Sequence, residues 1–139
     1  MRKVLLIIFI AVSTFGFSQE YKFNVFGQEE GLPQPYVYDI IQAKDGYLYI
    51  ATGDGLAAFG GYRFNKFTNR VGLSENFCNS LFADSKQRIW IGHFEGGVSC
   101  YEKGVFRKIK TAAAQAAKVI SFAEDSKQNI YYATSAGGL

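Results

Sequence analysis

Residues 84–98 read DSKQRIWIGHFEGGV, and residues 125–139 read DSKQNIYYATSAGGL. Laid over one another without a gap, at an offset of 41, they share seven of fifteen positions, where chance at ordinary composition gives roughly one. The same offset sets Tyr21–Phe26 (YKFNVF) on Tyr62–Phe67 (YRFNKF), four identities in six. It also sets Gly31-Leu32 on Gly72-Leu73, and Leu48-Tyr49-Ile50 on Ile89-Trp90-Ile91 and Ile130-Tyr131-Tyr132. One extra residue near Phe94–Gly96 then brings Gly55–Phe59 onto Gly97–Tyr101. A period of this length belongs to propeller blades or to helical repeat arrays.

The pattern inside the period chooses strands. Short runs rich in Ile, Tyr, Phe, Val and Trp alternate with clusters of Asp, Gly, Ser and Asn. In the first unit the runs are Val37–Gln42, Tyr47–Thr52, Leu56–Phe59 and Tyr62–Phe67, separated by Lys44-Asp45-Gly46, Gly53-Asp54-Gly55 and Gly60-Gly61. Asp-Gly and Gly-Gly supply the positive φ that tight hairpins need. The second unit repeats this as Cys78–Ala83, Arg88–Gly92, Val98–Tyr101 and Val105–Ile109. The fold class is therefore all-β, a run of four-stranded antiparallel propeller blades at 37–67, 78–109 and 119–139, the last interrupted. Thr111–Lys118 (TAAAQAAK) is the one helix-prone stretch and lies in a connection between blades.

Tyr21–Phe26 matches a fourth strand without a blade before it, so it is expected as an orphan outer strand that completes the last blade of a closed ring. Leu139 falls at the start of a third strand. A propeller needs at least four blades, so the chain is expected to be the N-terminal piece of a longer protein. An open array leaves sheet edges unpaired, which predicts poor solubility for this region alone.

Composition fits an ordered, exported domain. Of 139 residues, 48% are apolar, 17% aromatic and 19% charged, which excludes a disordered chain. Fifteen Lys and Arg face twelve Asp and Glu. Setting aside Arg2 and Lys3 leaves 13 against 12, too even for a nucleic-acid binder. Met1-Arg2-Lys3 followed by the apolar run Val4–Val12 reads as a signal peptide over residues 1–18, with Gly16 and Ser18 at the cleavage positions and the mature chain starting at Gln19. The run is too short for a membrane span. Cys78 and Cys100 match no metal or redox spacing. Their repeat counterparts are Val37, Val119 and Ala58, so buried small residues are the favoured reading, with a disulfide left open by the exported setting.

Ile40–Leu56 and Leu81–Gly92 resemble the D-x-x-G-x-[IL]-W-I-G-T-x-x-G-[LV] repeat of the two-component regulator propeller family, and Glu30-Gly31-Leu32-Pro33 is similar to its lead-in. The resemblance covers residues 20–139. It implies the periplasmic sensory region of a membrane histidine kinase or hybrid regulator. The kinase or regulator module would follow in the same polypeptide, and the membrane would be reached only by segments outside this chain. Trp is Tyr49 and Tyr131 in two copies, the following glycine is Ala51 and Ala133, and the Thr is His93 in the second. Nothing in the motif is catalytic and no cofactor is implied.

The residues themselves propose little chemistry. His93, the only histidine, stands where Thr52 and Thr134 stand, and reads as a turn residue at a strand end. Gly53-Asp54-Gly55 has no further carboxylates at calcium-loop spacing. Asp84 and Asp125 recur before Ser-Lys-Gln, which fits a turn-capping role. Tyr47, Tyr49, Phe82, Trp90, Phe122 and Tyr131 fall where sheets pack face to face, a core role preferred over a sugar-stacking platform. Lys86, Arg88, Arg107, Lys108 and Lys110 read as solvated surface.

Binding groups collect on loops over a rigid scaffold and at the mouths of barrel-like folds. In a propeller the mouth is lined by blade-to-blade connections and second-to-third-strand loops, here Gln34–Tyr36, Gly53-Asp54, Glu75–Phe77 and His93–Gly96. The candidate ligand-binding residues are Gln34, Tyr36, Asp54, Asn76, His93 and Glu95, for a small-molecule or glycan ligand. The function expected is sensory input to a signal-transduction protein. A secreted lyase-like propeller with its catalytic residues on further blades, or a surface interaction scaffold, are the alternatives.

Overall fold

The computed structural model describes residues 21–110 and 117–136. The expected leader over 1–18, all but the last two residues of Thr111–Lys118, and residues 137–139 lie outside them. Among the described residues no helix is long and apolar enough to cross a membrane.

The strands are β1 Val37–Gln42, β2 Leu48–Thr52, β3 Gly55–Phe59, β4 Phe64–Phe67, β5 Cys78–Ala83, β6 Ile89–His93, β7 Val98–Glu102, β8 Val105–Ile109, β9 Val119–Glu124 and β10 Ile130–Thr134. They form two four-stranded antiparallel sheets, β1-β2-β3-β4 and β5-β6-β7-β8, and a pair β9-β10. We call these blades 1, 2 and 3. Tyr21–Phe26 carries no ladder pairing and is not a strand here. A fourth strand exists only through hydrogen bonds to a third, and among the described residues no third strand stands beside it. Phe26 nevertheless packs on Phe59 with ring centroids 4.7 Å apart.

Each blade turns between its first two strands in the same way. Gly46, Gln87 and Gln128 share one repeat position and all take positive φ, at 88°, 66° and 65°. Glutamine there carries strain that glycine avoids. A neighbouring carboxylate fastens each turn. Asp84 accepts from the Arg88 amide at 2.8 Å, Arg88 Nε at 2.6 Å and Trp90 Nε1 at 2.9 Å. Asp125 accepts from the Lys127 and Asn129 amides and from the Tyr131 hydroxyl. In blade 1 the carboxylate moves two places along, and Asp45 takes the Tyr49 hydroxyl at 3.0 Å. Tyr and Trp are thus interchangeable at this repeat position because both present a polar tip on an apolar body. Burial works to raise the Asp84 carboxyl, but the Trp90 and Arg88 hydrogen bonds outweigh it and hold the group below the usual carboxylate range.

Blades join through their first strands. Each of these strands opens with a bulge, between Val37 and Asp39, between Cys78 and Ser80, and opposite Ala133 and Thr134. The bulge re-aims the next side chain, and that side chain crosses to the neighbour. The Leu81 amide donates to Asp39 at 2.7 Å. Ser80 Oγ and Asn79 Nδ2 both donate to the Val119 carbonyl, at 3.1 and 2.8 Å. Gly92 leaves room for this approach: a methyl there would meet Ser80 Oγ and lie 2.5 Å from Val119 Cγ1.

The main core lies between blades 1 and 2. Tyr49, Ala51, Leu56 and Ala58 of the first meet Leu73, Cys78, Leu81, Ile89, Ile91 and Phe106 of the second, with Phe67 and Tyr101 closing the rim. Small side chains on one face admit bulky ones from the other, and each large apolar side chain buried this way contributes about 1.5–3 kcal/mol. Cys78, within this packing, and Cys100, outside it, are buried free thiols. Burial pushes the Cys78 thiol up to about 12, with the Glu75 charge acting in the same direction.

Candidate functional site

The mouth of the array is built from the connection into each blade and the turn between its second and third strands. The connections share one device. Gln28–Glu30 and Asn69–Val71 are single 3-10 turns, each closed by a glycine in the left-handed region, Gly31 and Gly72. Gly72 sits so close to the Phe106 carbonyl, 2.8 Å from where a Cβ would lie, that no side chain fits.

The structure brings Asp54 and Asn76 to one place. They line an open cleft of about 480 Å³ with Lys66, Thr68, Asn69 and Arg70. Asp54 is paired with Lys66 at 2.6 Å, both half-exposed. Asn76 Oδ1 accepts from the Asn69 amide at 2.9 Å, which leaves its amide nitrogen for another partner. The Gln34 side chain lies against Gly53 beside Asp54, with its buried Oε1 unbonded. Tyr36 is 70% exposed. Glu95 stands farther along the rim, its amide held by Glu75 Oε1 at 2.9 Å.

His93 does not belong to this set. It is the last residue of β6 rather than a turn residue, and it is completely buried. Its Nε2 meets Ser99 Oγ at 2.8 Å, and Ser99 Oγ in turn contacts Ser74 Oγ at 3.2 Å. The position is enclosed in both complete blades: Thr52, its counterpart at the end of β2, is equally buried. Burial is the chief cause that lowers its pKa to about 4; the Phe77 backbone opposes this and the Lys108 charge adds to it. A neutral imidazole without solvent access cannot meet a ligand.

The rim aromatics are also committed elsewhere. Phe77 and Phe94 stack at 4.5 Å and 16°, Tyr38 packs on Phe77 at 4.8 Å, and Lys118 Nζ lies 5.3 Å from the Phe94 ring. This ladder ties three blades together across the mouth. Polar groups line the cleft beside this ladder. Among these Arg70, absent from the sequence-based set, has no ion pair among the described residues. Its signal was the variable middle position of the repeated 3-10 turn, Glu29 in one copy and Arg70 in the next. Among the described residues no three His, Cys, Asp or Glu side chains could hold a metal ion. The cleft offers hydrogen-bonding and charged groups suited to a polar molecule.

Residues 31–54 match the sequence profile of the two component regulator propeller family. A protein of Formosa agariphila named histidine kinase P4 is 38% identical over 66 residues, 48% of this chain and 5% of that protein. The extracellular domain of a protein described as a hybrid two component system of B. thetaiotaomicron superposes with a TM-score of 0.68 at 26% identity, covering 81% of this chain and 16% of that one. The extracellular domain of a protein described as a one component system of the same organism gives 0.68 at 28% identity, with the same coverage of each chain. Blade 1 thus carries a match to the two component regulator propeller repeat over residues 31–54, and the chain spans 16% of the solved extracellular domains it resembles.

Proposed function

We propose that the chain is part of the extracytoplasmic sensory propeller of a signal-transduction protein, with the mouth cleft as a ligand-contact surface. The observation that carries this is the similarity of the whole blade array to extracellular domains of signalling systems. The cleft adds support, because polar side chains from the β2–β3 turn, from β4 and from the connection into blade 2 converge there. Tyr36, Asp54, Arg70 and Asn76 would contact a small polar molecule or glycan. Binding can change an output only through different affinities for two arrangements of the propeller. The change would pass to a kinase or regulator module through segments outside this chain.

The test is a strain in which Tyr36, Arg70 and Asn76 are replaced together by alanine in the polypeptide that carries this chain. Transcription would be profiled on a panel of oligosaccharides and small metabolites. The wild type should show a ligand-dependent response that the variant loses at equal protein level. An unchanged response would remove the cleft from the pathway.

A further inference from the structure

The turns between first and second strands and between third and fourth strands gather at the end of the blades opposite the mouth. In the junction between blades 1 and 2 they enclose a cleft of about 400 Å³, within the range of small-molecule pockets. Buried Ile89 and half-buried Tyr101 give it an apolar patch, and exposed Lys44, Lys86, Gln87 and Lys103 line its rim. Two carboxylates also line it, and both are engaged. Asp45 accepts from the Tyr47 amide and the Tyr49 hydroxyl, each at 3.0 Å, and Glu102 faces Arg107 at 3.7 Å. None of the three lysines has an ion pair among the described residues.

The junction between blades 2 and 3 holds a carboxylate at the corresponding place. Glu124, the last residue of β9, reaches the first turn of blade 2. Its Oε2 accepts from the Ser85 amide at 2.8 Å and its Oε1 from the Ser85 hydroxyl at 2.6 Å. One repeat earlier Ser85 becomes Lys44 and Glu124 becomes Ala83. The turn of blade 1 thus keeps the amide and exchanges the hydroxyl for an ammonium, while the next blade supplies no carboxylate. The Lys44 amide has no acceptor among the described residues. Lys103 is placed at this cleft at a cost. It takes φ 49°, in the left-handed region, where its blade 1 counterpart is Gly61 at 105°. Strain of this kind collects at functional sites.

We propose that the cleft between blades 1 and 2 binds a small organic acid, whose carboxylate takes the place that Glu124 fills at the next junction. Lys44 holds that carboxylate through its amide and its ammonium, a charge-assisted pairing. Lys86 and Lys103 supply further positive charge, and Tyr101 and Ile89 receive the less polar side of the molecule. The site lies between two complete blades and is separate from the mouth cleft.

The test is isothermal titration of the intact polypeptide that carries this chain with glucuronate and with succinate, and with glucose as the uncharged counterpart of the first. One or both acids should bind at a single site, and glucose should not. Lys103→Gly restores the glycine of blade 1. It should weaken binding by about tenfold, as expected for loss of a hydrogen bond to a charged group, while the melting temperature holds or rises because the strain is relieved. Ala83 lies on the same side of β5 as Leu81, which packs against blade 1. Ala83→Glu therefore puts a carboxylate where Glu124 stands one repeat later, and it should block the acids. Acids that bind no more tightly than glucose would overturn the proposal. Wild-type affinity in Lys103→Gly, or in folded Ala83→Glu, would overturn it as well.

Discussion

Burial of His93 makes a prediction about acid stability. The imidazole is fully enclosed and neutral, and its pKa falls from 6.5 to about 4. In the unfolded chain it takes up a proton near its ordinary value, so below 6.5 the unfolded state binds more protons and stability falls with pH. The contribution is complete above 6.5 and is lost as the pH drops toward the folded value. At 1.36 kcal/mol per pH unit the gap amounts to roughly 3 kcal/mol, of which about 2.5 kcal/mol is gone by pH 4.5. His93→Gln keeps an uncharged amide within reach of Ser99 and removes the titration. Urea denaturation of both proteins at fixed concentration, from pH 7 to pH 4.5, isolates the effect, because the carboxylates titrate alike in each. The wild type should lose about 1–2 M more in midpoint than the variant over this range. A difference between the two that stays constant with pH would refute the burial argument.

Other perturbations read the repeat directly. Asp84→Ala strands the Arg88 and Trp90 donors in a buried site and should cost about 3 kcal/mol, with altered Trp90 emission. Asp125→Ala, the same change in the open third blade, should cost clearly less; equal costs by urea melts would contradict the burial difference. Gly92→Ala drives a methyl into Val119 and Ser80 and should cost about 1–3 kcal/mol, while Gly27→Ala, which meets nothing within 4 Å, should be near neutral by the same assay. Cys78 and Cys100 should resist a thiol reagent in the folded chain and both react after denaturation; one or no thiol released would reveal a disulfide.

The period of 41 and the hairpin residues made the strands of blades 1 and 2 legible to within two residues, since turn chemistry and alternation are local, whereas the strand expected at Tyr21–Phe26 carries no ladder pairing. Side-chain destinations were less legible. The aromatics at Tyr49, Trp90 and Tyr131 read as core, but their bond to the turn carboxylate depends on register, which moves the acid from Asp84 to Asp45 between copies. His93 looked like a turn residue because its counterparts are threonines next to a turn. Thr52 and His93 are in fact both buried strand residues, because the second strand runs one residue further than its apolar pattern suggests. Topology alone placed Asp54 and Asn76 on the mouth, and they do line one cleft; Arg70 lines it too but lay outside the set because only the last residues of that connection were assigned to the mouth. The rim aromatics stack between blades 1 and 2, with Lys118 reaching the Phe94 ring from the start of blade 3, contacts between units that a period cannot reveal.

The account rests on this propeller facing the outside of the cell. Mass spectrometry of the chain expressed in a Gram-negative host, with the periplasmic and cytoplasmic fractions separated, tests that most directly. A periplasmic product beginning at Gln19 is the predicted result. A cytoplasmic product that retains Met1 to Ser18 would contradict export, and with it the sensory reading.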